Sequence, residues 1–136
     1  MAYGYYRRKK GVKYGNKKVE YDNHVFDSTK EMKRYCELKL LQKAGVIRDL
    51  ELQKEFELIP NQYKYEARYG KNGKRLKDKA ILLERKCEYK ADFSYTDCES
   101  GEYIVEDCKS PITRTPVYLV KKKLMLYVHG IIIQEV

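Results

Sequence analysis

The sequence predicts an α/β fold: a mixed β-sheet flanked by helices, with core elements in the order α, β, β, β, α, β. Three observations support this. Two segments carry apolar residues at helical spacing between recognisable caps, and three others alternate as strands do. The second helix is followed by a short apolar run, and a strand, helix, strand crossover leaves its two strands parallel. At 136 residues the chain suits one domain with a core of its own.

Residues 1–23 show no sustained apolar periodicity and read as a basic arm, leaving 24–136 as the domain. FDSTKEMKRYCELKLLQKAG reads as a helix, with Ser28 as N-cap, Glu31 closing a capping box and Gly45 ending it. Met32, Tyr35, Cys36, Leu40 and Ala44 would form its apolar face. IRDLELQKEFELI, residues 47–59, reads as one half-exposed strand through Leu50, Leu52, Phe56 and Leu58, stopped by Pro60. Residues 61–79 contain a Gly-Lys-Asn-Gly-Lys turn and dense positive charge, which suits a protruding hairpin or loop.

CEYKADFSY alternates Cys87, Tyr89, Ala91, Phe93 and Tyr95 with polar residues, DCESGE is a turn, and YIVEDCK is the third strand. Thr115 and Pro116 then open a helix with Val117, Val120, Leu124 and Tyr127 at helical spacing as far as Gly130. IIIQEV would close the sheet as a short strand buried on both faces at its start.

Composition narrows the function. No apolar run is long enough to span a bilayer and no signal peptide is evident, so a soluble cytoplasmic protein is expected. Cys36, Cys87, Cys98 and Cys108 are widely spaced without a C-x-x-C pair, which argues for reduced thiols over a disulfide framework or a zinc site. The net charge is +9, and residues 1–18 supply +7 of it through Arg7, Arg8, Lys9, Lys10, Lys13, Lys17 and Lys18 without an acid. Cations interleaved with Tyr3, Tyr5, Tyr6 and Tyr14 suit a polyanion such as DNA, and a solubilising tail is the plainer alternative.

The chemistry concentrates in YIVEDCKS, residues 103–110, a core strand that ends in acids and a lysine. Asp107 and Lys109 are two apart and share a face, and the turn 97–102 brings Asp92 alongside from the preceding strand. Close carboxylates repel, and a divalent cation between them reverses that cost. Oxygen-only ligands favour Mg2+ or Mn2+. With Lys109 to offset negative charge in the transition state, these parts suit phosphodiester hydrolysis. Glu106 would point to the opposite face unless a bulge exchanges it with Asp107. Duller readings exist for each residue: Glu31 as a cap alone, Asp92 and Lys109 as a surface ion pair, and Lys121 to Lys123 as the wet face of a helix.

The Asp92 … Asp107-Cys108-Lys109 arrangement resembles the PD-(D/E)XK nuclease superfamily, whose restriction-endonuclease-like core has the same αβββαβ order. Ala91 stands where the namesake motif has proline. With Glu31 on the first helix, the quartet is similar to that of archaeal-type Holliday junction resolvases. FDSTKE, LELQKEFEL, YKADFSY, VEDCKS, YLVKKKLM and IIIQEV look like a family of small phage-encoded proteins, the domain of unknown function numbered 1064, over about residues 25–136.

The resemblance implies a metal-dependent DNA endonuclease acting on Holliday junctions or other branched DNA in phage recombination, replication or packaging. Glu31, Asp92, Asp107 and Lys109 would be catalytic, Asp92, Asp107 and Glu31 would hold the metal, and a homodimer would make the paired cuts. Arg7, Arg8, Lys9, Lys10, Lys74, Arg75, Lys121 and Lys122 would contact DNA. The alternatives are a flap-, nick- or sequence-directed nuclease of the same superfamily and a non-catalytic DNA-binding accessory protein.

Overall fold

The computed structural model describes residues 17–136. In chain order it contains a hairpin of β1 (Val19–Tyr21) and β2 (His24–Phe26), helix α1 (Thr29–Lys43), β3 (Ile47–Leu52), β4 (Glu55–Ile59), β5 (Gln62–Tyr69) and β6 (Arg75–Glu84). There follow β7 (Cys87–Lys90), β8 (Phe93–Asp97), β9 (Tyr103–Asp107), α2 (Pro116–Leu124) continued by a π-helical turn over Met125–His129, and β10 (Gln134–Glu135). The central sheet has the order β10-β9-β8-β3, with β10 parallel to β9 and the other pairs antiparallel. This is the mixed sheet that the crossover rule requires.

Helices cover both faces. On one, Phe26, Tyr35 and Leu38 pack with Ile47, Phe93 and Tyr95; on the other, Tyr118, Met125 and Ile133 pack with Val105, Tyr89, Ala91, Phe56 and Leu58. Strand alternation therefore divides the acidic end of β9, with Glu106 toward α1 and Asp107 toward α2.

Ser28 caps α1 by accepting from the Glu31 N–H at 3.1 Å. The Glu31 carboxylate accepts in return from the Asp27 N–H, one residue before the cap, at 3.1 Å. Thr115 caps α2 through the Tyr118 N–H at 3.2 Å, with Pro116 in the first turn. Gly130, at φ 67°, ends the π turn in the left-handed region that favours glycine.

Several expectations need correction. Val19–Tyr21, inside the expected arm, pairs with β2. The helix α1 buries Glu31, Tyr35 and Leu38, while Leu40 and Ala44 are exposed, because the helix meets the sheet along the 31, 35, 38 line. The expected strand 47–59 is two, β3 and β4: Asp49 (φ 57°) makes a bulge within β3, and Gln53 (φ 55°) turns the backbone between the two strands. The expected strand through Cys87 to Tyr95 breaks at Ala91–Asp92, opposite that second bend. Pairing persists across both breaks: the Gln53 N–H donates to the Asp92 carbonyl at 3.2 Å and the Ala91 N–H to the Lys54 carbonyl at 2.9 Å.

The helix α2 and its π turn bury Tyr118 and Met125, whereas Val117, Val120 and Tyr127 face solvent. Tyr118 packs its ring inward while its hydroxyl donates to Glu135 at 2.9 Å, so the buried ring keeps a partner for its polar end. At the chain's end Ile133 alone of the three isoleucines is fully buried, and the strand itself is only two residues. The four cysteines are free thiols. Among the described residues no helix is long and apolar enough to cross a membrane.

Candidate active site at the ends of β8 and β9

The break between β7 and β8 turns Asp92 toward the end of β9, where the Cys108 N–H donates to its Oδ2 at 2.8 Å. Asp107, almost wholly buried at 3 % exposure, has both oxygens engaged: Lys109 Nζ lies 2.8 Å from Oδ1 and the Tyr89 hydroxyl donates to Oδ2 at 2.5 Å. The Lys109 ammonium also sits 4.2 Å from the centre of the Tyr118 ring, a cation–π contact within a half-buried setting. Glu31 arrives from α1, with Gln53 Nε2 donating to its Oε1 at 3.2 Å.

Electrostatics record how closely these groups crowd. Burial, then the Asp107 charge beside it, pushes the Asp92 carboxyl up to about 8, against the lowering effect of the Cys108 N–H. Glu31 is raised by burial first, with the Asp107 charge adding and Lys109 opposing. Burial and then Asp107 raise the Tyr89 hydroxyl, which keeps it a donor. Burial pushes the Cys108 thiol up to about 12, with Asp92 adding, so it is a neutral neighbour and not a nucleophile.

Glu106 has a separate partner set. Arg34 grips it in bidentate fashion, Nε to Oε2 at 2.9 Å and Nη2 to Oε1 at 2.6 Å, and the Tyr95 hydroxyl donates to it as well. The strand is regular here, and the two acids face opposite sides of the sheet.

The chain beyond the site braces it. The Val136 N–H donates to the Asp107 carbonyl at 3.0 Å and the Lys109 N–H to the Val136 carbonyl at 3.1 Å, while Lys30 Nζ donates to the Lys109 carbonyl at 2.9 Å.

Glu31, Asp92, Asp107 and Lys109 are thus brought to one locus by α1, the β7–β8 break and the end of β9. Residues 11–130 match the family described as "Protein of unknown function (DUF1064)". The chain belongs to that family. No curated protein and no solved structure matches it.

The other anticipated residues of this DUF1064 protein lie elsewhere. Lys74 and Arg75 stand at the β5–β6 turn, and Lys122 reaches Glu135 at 3.2 Å, as does Arg114 at 3.1 Å. Lys121 is half-buried on α2. Arg7, Arg8, Lys9 and Lys10 lie outside the described residues. Among the described residues no three acidic, histidine or cysteine side chains stand as a preformed metal cage. The donor set is nonetheless of the kind a hard cation takes, because the Asp92 and Asp107 carboxylates offer only oxygen and a divalent charge would relieve their mutual repulsion.

Sequence reasoning missed Tyr89, Tyr118 and Arg34. Tyr89 alternates with the core of its strand and Tyr118 follows a helix cap, so both read as packing residues. Their hydroxyl and ring-face roles have no sequence signature.

Proposed function

We propose that this protein is a metal-dependent endodeoxyribonuclease of PD-(D/E)XK type, acting on Holliday junctions or other branched DNA during phage recombination, replication or packaging. The observation that carries this reading is the convergence of Asp92 and Asp107 beside Lys109 at the ends of two adjacent central strands, with Glu31 supplied by α1. The αβββαβ order of α1, β3, β8, β9, α2 and β10 supports the same superfamily.

Asp92 and Asp107 would hold Mg2+ or Mn2+, with Glu31 completing the shell or orienting water. When bound, such an ion polarises a phosphodiester and lowers the pKa of water. Lys109, held by Asp107 and the Tyr118 face, offsets negative charge that grows on the phosphate oxygens during attack. Tyr89 fixes the Asp107 carboxylate, so its orientation is set before substrate arrives. Two coordinated cuts call for two sites, which favours a homodimer.

Purified protein with Mg2+ is expected to cut a synthetic four-way junction, and Asp107→Asn to abolish cutting while junction binding persists. No Mg2+-dependent cutting of junction, flap, nick or linear duplex would reject the reading. A second reading, a DNA-binding accessory protein without catalysis, is favoured by one feature: both Asp107 oxygens already have protein partners. In that case DNA affinity would be indifferent to Mg2+ and to Asp92→Ala.

A further inference from the structure

The strands β5 and β6 pair only with each other, in a sheet of two, and nearly every residue of both is exposed. An isolated two-stranded ribbon is marginal in water and gains stability from a surface against which to lie. Its two faces differ. Tyr63 lies opposite Leu82 and Tyr65 opposite Ala80, and the two tyrosine rings are 6.5 Å apart, so one face is aromatic and apolar. The other carries Lys64, Glu66, Lys79 and Arg68, with Ile81 and Leu76 opposite Lys64 and Arg68. The segment 62–84 has seven cations and three acids. Lys64 and Arg75 are each within about salt-bridge reach of an acid on the ribbon itself, Glu66 at 3.2 Å and Asp78 at 3.3 Å, and Lys71, Lys74, Lys77 and Lys79 add to the excess.

From these features we infer that the β5–β6 ribbon is a duplex-DNA docking arm, which makes tight binding depend on the length of duplex beside the candidate site. The inference deepens the nucleic-acid reading above and rests on it. A second copy of this chain packing ribbon to ribbon would bring two like-charged surfaces together, whereas a polyanion meets complementary charge. A two-stranded ribbon also fits the major groove, where tyrosine rings meet base edges and flanking cations meet phosphates.

The ribbon continues from β4 and β7, joined at its base by the Lys86 N–H donating to Asn61 Oδ1 at 2.6 Å. The bend at Gln53 and Asp92 lies at the other end of β4 and β7. At a rise of about 3.4 Å per residue, β4 spans roughly 17 Å and β5 roughly 27 Å, so the tip reaches at most about 45 Å from the site. That is the axial length of about 13 base pairs.

The test measures equilibrium binding of the full chain, without Mg2+, to junctions whose duplex arms run from 6 to 24 base pairs, a range set by that reach (about 3.4 Å per pair). Affinity is expected to rise about tenfold or more as arms lengthen to about 14 pairs and then level off, a tenfold change being about 1.4 kcal/mol. Lys74→Glu with Arg75→Glu, and separately Tyr65→Ser, should flatten that rise, so that long arms bind no more tightly than short ones. The charge-reversed protein should also show a shallower salt dependence. Circular dichroism melting checks that each variant folds.

Binding that ignores arm length, or is unaltered in both variants, overturns the inference even if junctions are cut. Arm-length-dependent binding lost in the variants upholds it even if nothing is cut. A change in solution mass with DNA affinity untouched would assign the ribbon to a second copy of the chain and overturn it too.

Discussion

Lys109 lies between a carboxylate and an aromatic face, and the two contacts act on it in different ways. Asp107 neutralises it, and Tyr118 limits where the ammonium can swing. Tyr118→Leu is therefore expected to lower cutting of a junction by about tenfold, in line with a cation–π contact of ~0.5–2 kcal/mol. Tyr118→Phe keeps the ring and should retain most of the activity while losing the bond to Glu135. A pH prediction belongs to Asp92. Its folded carboxyl is raised by burial and by Asp107, whereas the unfolded chain releases that proton near pH 4. Unfolding thus releases a proton between about pH 4 and about 8, and metal-free stability falls as pH rises through that window. The melting temperature should drop by at least about 3 °C from pH 5 to 8, and Asp92→Asn should remove most of the slope.

Among elements, α1 is tied to β9 by the Arg34–Glu106 pair, with Glu106 at 1 % exposure. Arg34→Ala leaves that carboxylate buried beside Tyr95 alone and should cost about 3 kcal/mol, measurable by urea unfolding. Removing both charges as Arg34→Met with Glu106→Leu should cost less than Arg34→Ala, because no uncompensated charge remains. Caps and crossover were the legible parts of these elements: Ser28, Thr115, Pro116 and Gly130 mark the ends they were expected to mark. The bends were not. Leu50, Leu52, Phe56 and Leu58 alternate in sequence as if along one straight strand, and a positive φ at Asp49 or Gln53 leaves no trace in that pattern. Helix faces were misjudged for a related reason. Val117, Val120 and Tyr127 compete in the sequence with Tyr118 and Met125 for the inward side, and the packing of the latter pair against Val105, Tyr89 and Ile133 is a tertiary fact that helical spacing does not carry.

At the scale of the molecule, the alternation of side chains along β9 separates two acids by function. Asp107 joins the candidate site, while Glu106 clamps the helix behind it. The locus of Glu31, Asp92, Asp107 and Lys109 was legible because a strand end that carries acids is itself an anomaly; its supporting tyrosines were not, because they look like core. Binding should also be strongly electrostatic. The observed affinity for a four-way junction is expected to fall by about tenfold or more between 50 and 200 mM salt, as it does when several phosphates are neutralised at once. A shallow dependence would show that few cations meet phosphate.

The bend at Gln53 and Asp92 has one more consequence. It joins the central sheet to β4 and β7, which pack under α2 through Phe56, Leu58 and Tyr89 and lead out to the exposed β5–β6 ribbon and its Gly70–Lys74 turn. Over the roughly 27 Å of β5, a rotation of only about ten degrees at its base, where Asn61 meets Lys86, would carry the tip through about 5 Å. Asp92 sits at the anchored end, so such a swing would leave the candidate site undisturbed.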